Sequence, residues 1–539
     1  MNKKDLLITF ALLIFSSFFL YSFISTSHNT WLRFSDGAKY ADVARNIVQG
    51  DGYVSDFSFF NINLFRDYKS LFSARGIPLG MPYAISIAFL VFGISDFAVI
   101  ATSSLFYLLL VLAVYFLGKQ VFSPLVGFLA GLSVSANINF LDYGTSGASE
   151  SLFSFLCVVS AFLIFKKSRL TNFLFLPSLV LIYLTRPQGV VFILALVFSW
   201  AIYNFSFKKG ILLFIVSTAF ILLVDRYVLY PLSFRLPVYP VVTRGVQALF
   251  QYSPSASVSN ALRGESPGIV AGTEVLKKAF YNLYNFYKLL PQIASPYMWG
   301  LFAIGLCLWD FSKRKESVYK ILCLILTVGS FILAALTIPF YRYLHPTIPF
   351  VYIISSGVLV GVLEKSFNRE YAVKFISILL VFVFIVGQTL GVIFLDSRFS
   401  NKNLNTDKPP VYLILSKLLK ENSSPDDLIV TNLDTWGSWY GDRHTVWFPL
   451  TPKFLIDTKT GEIPFDAIYL TSYLIDDENY YMGNDWRQIF ENPNDETKWI
   501  CEGCLEIGKR FKFQAVFKID SHNNYQNINA KSVLLIKEQ

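Results

Sequence analysis

The chain has 539 residues, of which 54% are hydrophobic, 17% aromatic and only 15% charged, and its mean hydropathy is +0.49. Soluble domains carry about 25% charged residues, so this balance excludes an ordinary soluble globular protein and points to a polytopic membrane protein. The formal charge is +9, but the basic residues fall in short groups between apolar runs rather than on one soluble face, which excludes nucleic acid as a partner and assigns them to orienting the chain in a bilayer.

The N-terminus MNKKD and the apolar run from Leu6 to Ile24 predict a first span over residues 6–27. The run is long for a cleaved signal peptide, and SFISTSH is no A-x-A site, so it reads as a retained anchor. FSDGAKYADVARNIVQGDGY (Phe34–Tyr53) follows. Its Tyr40, Val43, Ala44, Ile47 and Val48 recur at helical spacing, while Asp42, Arg45, Asn46 and Gln49 fall mostly on the other face. Gly50-Asp51-Gly52 ends the pattern. An amphipathic helix lying flat on the outer leaflet is expected. Asp36 stands at its leading end, where a carboxylate is stabilised by the cap position and the helix dipole or is placed to act as a base.

Ile77 to Ile94 is apolar but carries Pro78 and Pro82 near its start, which predicts an interfacial, non-spanning helix over 77–94. Further spans are expected near 97–117, 121–140, 149–165, 172–185, 189–206, 210–230, 293–311, 320–340, 344–363 and 372–395, eleven in all with the first. The basic groups Lys119, Lys166-Lys167-Arg169, Lys208-Lys209, Lys313-Arg314-Lys315 and Lys365-Arg369 then all fall inside with Lys3 and Lys4. If 77–94 crossed, Lys119 and every later group would be on the wrong side. On this topology the loop 28–76, the segment Leu141–Glu150, the long loop Pro231–Gln292, the turns TRPQG and FYRYLHP and the tail from about residue 396 all face outside.

The transmembrane domain is therefore expected over 1–395 and a soluble extracytoplasmic α/β domain over 396–539. In the tail, VYLILSKLLKE has helical periodicity, and DLIVTN, DAIYLTS, FQAVFKI and SVLLIKE read as strands. Trp436, Trp439 and Trp447 suit core packing, with capping of the membrane domain or stacking on sugars as the alternatives. Cys501 and Cys504 form a C-x-x-C with no second ligand pair for zinc, so a disulfide is favoured. Cys157, Cys307 and Cys323 lie in apolar runs and read as inert.

On the external side Glu150 begins a span, where it is either a dipole-stabilised carboxylate or a functional one. Arg75, Arg186 and Arg342 lie there against the positive-inside trend, as candidate contacts to a phosphate or a lipid headgroup. His345 is expected to be hydrogen-bonded rather than a metal ligand.

Asp36-Gly-Ala-Lys-Tyr40, then Ala44 and Gly50-Asp-Gly-Tyr53, resembles the first external loop of the GT-C membrane glycosyltransferases, in particular the aminoarabinose lipid A transferase and protein O-mannosyltransferase group. The layout to residue 395 is similar too, and YRYLHP (Tyr341–Pro346) resembles the family's R-Y-x-x-P turn. The resemblance implies a polyprenyl-phosphate-linked sugar donor, a lipid, glycan or protein acceptor, and inverting transfer. It implies Asp36 and Glu150 as catalytic, with Asp36 the base, and Tyr40, Arg75, Arg186, Arg342 and Tyr343 as substrate-binding. No cofactor is assigned and a divalent metal stays open: some relatives carry a glutamate–histidine metal pair, and Pro231–Gln292 contains no histidine.

The chemistry agrees with a single base. The leaving lipid phosphate is already a competent anion and needs no acid, so one carboxylate serving the nucleophile suffices. A glycosidase would need a pair. A transporter or lipid flippase is the alternative, and a non-catalytic assembly protein a third. Transporters show related halves and ionisable groups at mid-membrane, whereas this chain has no evident repeat and gathers its acids at the outer ends of spans.

Overall fold

The computed structural model describes residues 3–27, 30–59, 74, 77–166, 168–186, 188–205, 207–224, 227, 249–250, 271–308, 313–337, 339–394, 410–456, 462–473, 482–523 and 526–538. Arg75, residues 231–248 and 251–270 of the long loop, and the start of the tail to residue 409 lie outside them.

The N-terminal part is mostly helical: α1 (Lys3–Ser27), α2 (Ser35–Gln49), α3 (Gly80–Phe92), α4 (Asp96–Val121), α5 (Pro124–Ser135), α6 (Ile138–Gly144), α7 (Glu150–Phe165), α8 (Arg169–Thr185), α9 (Gly189–Asn204), α10 (Phe207–Val224), α11 (Thr273–Ile293), α12 (Pro296–Cys307), α13 (Arg314–Leu336), α14 (Ile348–Ser366), α15 (Glu370–Val381) and α16 (Gly387–Phe394), the last two joined by a π-helical turn. Among the described residues α1, α4, α13 and the stretch Tyr341–Ser366 are each long and apolar enough to cross a membrane. Two bent pairs also pass, α5 with α6 at 65° and α11 with α12 at 113°. Helices α3, α7, α8 and α9 are apolar but shorter. The eleven expected spans thus meet helices of unequal length, and those at 121–140 and 293–311 belong to bent pairs. Large side chains such as Leu7, Leu90, Phe173, Phe220 and Phe375 stay exposed, which suits lipid rather than water.

The break between α5 and α6 has a local cause. Asn137 caps α6, its Oδ1 accepting from Asn139 N at 3.0 Å, and its Nδ2 donates to Tyr352 Oη at 2.8 Å. A buried amide satisfied this way turns the chain and carries Asp142 and Tyr143 to the end of the bundle where Asp36 lies. The opposite end holds Asp5, which accepts from Tyr115 Oη at 2.8 Å and pairs with Lys119 at 2.5 Å. Lys315 bonds the Gln120 carbonyl at that same end.

The C-terminal residues build α17 (Val411–Glu421), α18 (Thr435–Trp439), α19 (Asn484–Glu491) and α20 (Cys504–Arg510) around a six-stranded sheet in the order β1-β3-β2-β4-β6-β5. The strands are β1 (Phe57–Ser58), β2 (Leu428–Thr431), β3 (His444–Trp447), β4 (Ala467–Thr471), β5 (Phe511–Asn523) and β6 (Gln526–Lys537). β1, β3, β2 and β4 are parallel; β6 runs antiparallel to both β4 and β5. Alternation along β2 explains the two cores: Leu428 and Val430 pack with Trp486 and Ile468, while Ile429 packs on the other face with Leu415 and Leu419 of α17. Cys501 and Cys504 are disulfide-bonded. All four expected strands are present, with β3 and β1 in addition. β1 comes from the loop after α2, so a boundary drawn at residue 396 leaves out one strand of this sheet.

One expectation is corrected. A helix lying flat on a leaflet would leave its polar face in water, yet Asp42, Arg45 and Asn46 of α2 are all buried. α18 and the turn before β3 give Arg45 two carbonyls and the Asp442 carboxylate, while residues 54–56 bond Asp42 and Asn46. The loop expected over Pro231–Gln292 likewise ends in a helix, α11.

Candidate active site

Four charged side chains from four separate elements converge where α2, α7, α8 and the turn before α14 meet. Asp36 lies in the first turn of α2. Glu150 opens α7, Arg186 follows the last residue of α8, and Arg342 sits in the short helical turn Tyr341–Tyr343. Arg342 Nη2 donates to Asp36 Oδ2 at 2.5 Å, and its Nε lies 3.7 Å from Glu150 Oε1. Arg186 Nη1 lies 2.6 Å from that same Glu150 oxygen. Acid and base alternate along one row, Asp36–Arg342–Glu150–Arg186. The inner pair is buried, Glu150 being 1% exposed; Asp36 and Arg342 are 27% and 32% exposed. A row of this kind, closed at one end and open at the other, suits an anion that arrives from outside and competes for the outer arginine.

The helix start explains Asp36's position. Phe34 takes the cap position of α2, and no side chain caps the helix there. The Asp36 carboxylate is therefore spent on Arg342 rather than on the helix's own amides. Burial pushes its carboxyl upward, but Arg342, then Lys39 and Arg186, outweigh that and hold it at about 2. Gly37 brings the helix against the loop before α7: a Cβ there would lie 2.2 Å from the Ser146 carbonyl oxygen. Gly37→Ala is expected to force the first turn of α2 away from that loop, costing about 1–3 kcal/mol as overpacking does. Thermal unfolding of the detergent-solubilised protein checks this.

Tyr40 reaches the row through Ser149, Oη to Oγ at 3.3 Å, and Ser149 Oγ accepts from Arg186 Nη1 at 3.3 Å. Burial, then the Asp36 charge, keeps the Tyr40 hydroxyl protonated far above its usual range. Tyr343 stands in the turn with Arg342, in the field of Arg186, Asp36 and Glu150. The structure thus brings together Asp36, Tyr40, Glu150, Arg186, Arg342 and Tyr343; Arg75 lies outside the described residues.

Sequence reasoning passed over four neighbours, Lys39, Arg33, Asp142 and Tyr143. Lys39, one turn after Asp36, is half-buried with its Nζ 4.3 Å from the Phe59 ring centre, between the charges of Asp36 and Asp434. Its spacing of three from Asp36 was a legible signal. Arg33 and Asp142 form an ion pair beside the row, and nothing local in the sequence links them. Tyr143 Oη and His345 Nδ1 lie 2.5 Å apart, while His345 Nε2 has no hydrogen-bond partner among the described residues. Beside Arg342, a cavity of about 100 Å³ opens between Phe34, Asp142, Tyr143 and Tyr341. Among the described residues no three His, Cys, Asp or Glu side chains converge as metal ligands, and Glu150 faces two arginines. This donor set does not fit a resident divalent ion, and no step is derived through one.

Residues 77–228 match the family of dolichyl-phosphate-mannose-protein mannosyltransferases. The fold is shared with ArnT from Cupriavidus metallidurans bound to undecaprenyl phosphate, at 12% identity and a TM-score of 0.50, over 98% of each chain. It is shared too with the oligosaccharyltransferase of Archaeoglobus fulgidus. The apo form aligns at 12% identity and a TM-score of 0.50, over 94% of this chain and 73% of that one. The form tethered to an acceptor peptide aligns at 12% and 0.51, over 96% and 73%. No curated protein matches the sequence. The comparisons thus give a match to this family over residues 77–228 and, for the chain as a whole, a fold shared with ArnT and with the archaeal oligosaccharyltransferase.

Proposed function

We propose that the protein moves a sugar from a polyprenyl-phosphate donor to a lipid, glycan or protein acceptor on the extracytoplasmic side, with inversion and with Asp36 as the general base. The observation that carries this is the Asp36–Arg342 contact at 2.5 Å, with Glu150 and Arg186 closing the row behind it. The undecaprenyl phosphate bound in the Cupriavidus structure and the acceptor peptide tethered in the Archaeoglobus one support a lipid-borne donor and an external acceptor.

In this reading the donor phosphate takes up Arg342, with Arg186 held behind it by Glu150 and Ser149. As the anomeric carbon–oxygen bond to phosphate breaks, the leaving oxygen's charge falls on the guanidinium. The acceptor hydroxyl attacks from the opposite side of the anomeric carbon and passes its proton to Asp36, which the phosphate has by then relieved of Arg342. Glu150 orients the arginines and does not exchange protons.

Two observations support an extracytoplasmic site. Lys119 and Lys315 gather at the end of the bundle opposite Asp36, which is the cytoplasmic end by the positive-inside trend. The Cys501–Cys504 disulfide suits an oxidising compartment. The transmembrane part is assigned to 1–395 and the external α/β part to 396–539, together with β1. Membranes carrying the protein, given labelled polyprenyl-phosphate sugars and a native extract, are expected to label an acceptor. No label from any donor, together with coupled flux of a solute, would replace this reading by a transporter. Protease protection of the tail in right-side-out vesicles would reverse the orientation.

A further inference from the structure

Arg45 takes no part in the chemistry above, yet it is the most heavily partnered cation described. It is 8% exposed. Its Nη2 donates to Asp42 Oδ1 and to Asp56 Oδ2, both at 2.8 Å, and to the Ser438 carbonyl at 3.3 Å. Its Nη1 reaches Asp442 Oδ1 at 3.3 Å and the Trp439 carbonyl at 3.4 Å. The partners come from three places: α2 itself, the residue before β1, and the α18–β3 segment. The rigid fork of a guanidinium can serve several acceptors at once, which an ammonium cannot do with the same geometry. A charge this buried is tolerated only when so compensated.

The same segment grips the other end of α2. Thr435 Oγ1 donates to the Ser35 carbonyl at 2.7 Å, next to Asp36, and Trp436 Nε1 donates to the Leu32 carbonyl at 2.9 Å. α18 is itself anchored on the membrane part, since Trp439 stacks on Phe89 and donates Nε1 to Asp96 at 2.8 Å. Arg45 lies about 13 Å along the helix from Asp36 at 1.5 Å per residue. Attachment at both ends fixes the rotation and the translation of α2, and with them the place of its first-turn carboxylate.

We propose that Arg45 is a positioning residue, through which the C-terminal sheet sets the register of helix α2 and so the place of Asp36. The consequence for turnover rests on Asp36 being the base. A misplacement of 1 Å far from the chemistry can cost on the order of 100-fold, so the effect falls on the chemical step rather than on donor capture by Arg342 and Arg186.

The test uses the full chain in lipid nanodiscs, as wild type, Arg45→Ala, Arg45→Lys and the milder Asp442→Asn. Expected for Arg45→Ala are a kcat lower by about 10- to 100-fold, a little-changed donor KM, unchanged binding of undecaprenyl phosphate alone, and faster amide exchange confined to 35–49 and 435–439. Arg45→Lys keeps the charge but not the fork and is expected to recover only part of kcat; Asp442→Asn gives the same pattern more weakly. Wild-type kcat in Arg45→Ala overturns the proposal. So does a fall in kcat matched by equal loss of undecaprenyl phosphate binding and by faster exchange through α4, which marks general unfolding. If the wild type transfers no sugar, the functional reading fails, and exchange still decides the clamp: unchanged exchange over 35–49 in Arg45→Ala overturns it.

Discussion

Asp36→Asn is expected to lower transfer by about 100- to 10,000-fold, the range that a positioned general base contributes, while undecaprenyl phosphate still binds. The substitution keeps the size of the side chain and the contact to Arg342 but removes the basic oxygen. Undecaprenyl phosphate then competes with an uncharged amide for the guanidinium, so its affinity should hold or rise. Loss of binding together with activity would reassign Asp36 to building the pocket; transfer that survives would remove it as the base. The carboxyl, held at about 2, is ionised throughout the neutral range, so no acid limb near pH 5–7 belongs to it. On the proposed mechanism, a carboxylate tied this low is a feeble base until a donor phosphate draws Arg342 off. Burial then acts less opposed, and the basicity rises when the acceptor needs it.

Arg342→Gln carries the second large effect, and it acts on both partners of the contact. Losing a charge-assisted hydrogen bond to the donor phosphate costs about 1.5–3 kcal/mol, which is a weakening of roughly 10- to 100-fold. Titration of undecaprenyl phosphate against the purified variant reads it. At the same time Asp36 loses the largest influence holding it down, and burial is opposed only by Lys39 and Arg186. The acid limb of kcat/KM should move upward by about one to three pH units. The sign for stability follows. With its folded value depressed from 3.8 to about 2, Asp36 contributes stability present above about pH 4 and lost as the pH falls through 2. In the variant that contribution shrinks. Arg342→Lys keeps a positive charge without the fork, so it should restore the pH profile more fully than donor affinity.

The apolar helices and the four tail strands were legible because each is a local pattern, one of hydropathy over a turn or of alternation over a strand. The helix carrying Asp36 was legible from Tyr40, Val43, Ala44, Ile47 and Val48 for the same reason. Its placement was not. Asp42, Arg45 and Asn46 read as a solvated face, because the carbonyls and carboxylate that meet Arg45 lie some 400 residues on, and Val54, Ser55 and Asp56, which bond Asp42 and Asn46, carry no pattern that points back at the helix. Phe57 and Ser58 are too few to show alternation, and their pairing with Thr445 and Val446 has no local sign. The bend at Asn137 was hidden inside an apolar run whose hydropathy is indifferent to direction. Of the row of charges, Arg186 and Arg342 stood out because positive residues are unexpected outside. Arg33 and Lys39, positive and in the same external loop, fit that rule as well and went unnoticed, as did Asp142, whose partner Arg33 lies 109 residues away.

The pairing of β1 with β3 also bears on how the molecule comes into being. Synthesis runs at about 5–20 residues per second, so a helix tied to a partner 400 residues later waits on the order of 20–80 s for it. Throughout that interval the carboxylates of Asp42 and Asp56 and the guanidinium of Arg45 have only one another and the surroundings to bond. The bundle is threaded first, and the helix bearing Asp36 is locked last, when Trp439, Asp442 and β3 have emerged. A nascent chain that has not yet reached Trp439–Trp447 therefore carries the acids and arginines of the row without the brace at Arg45.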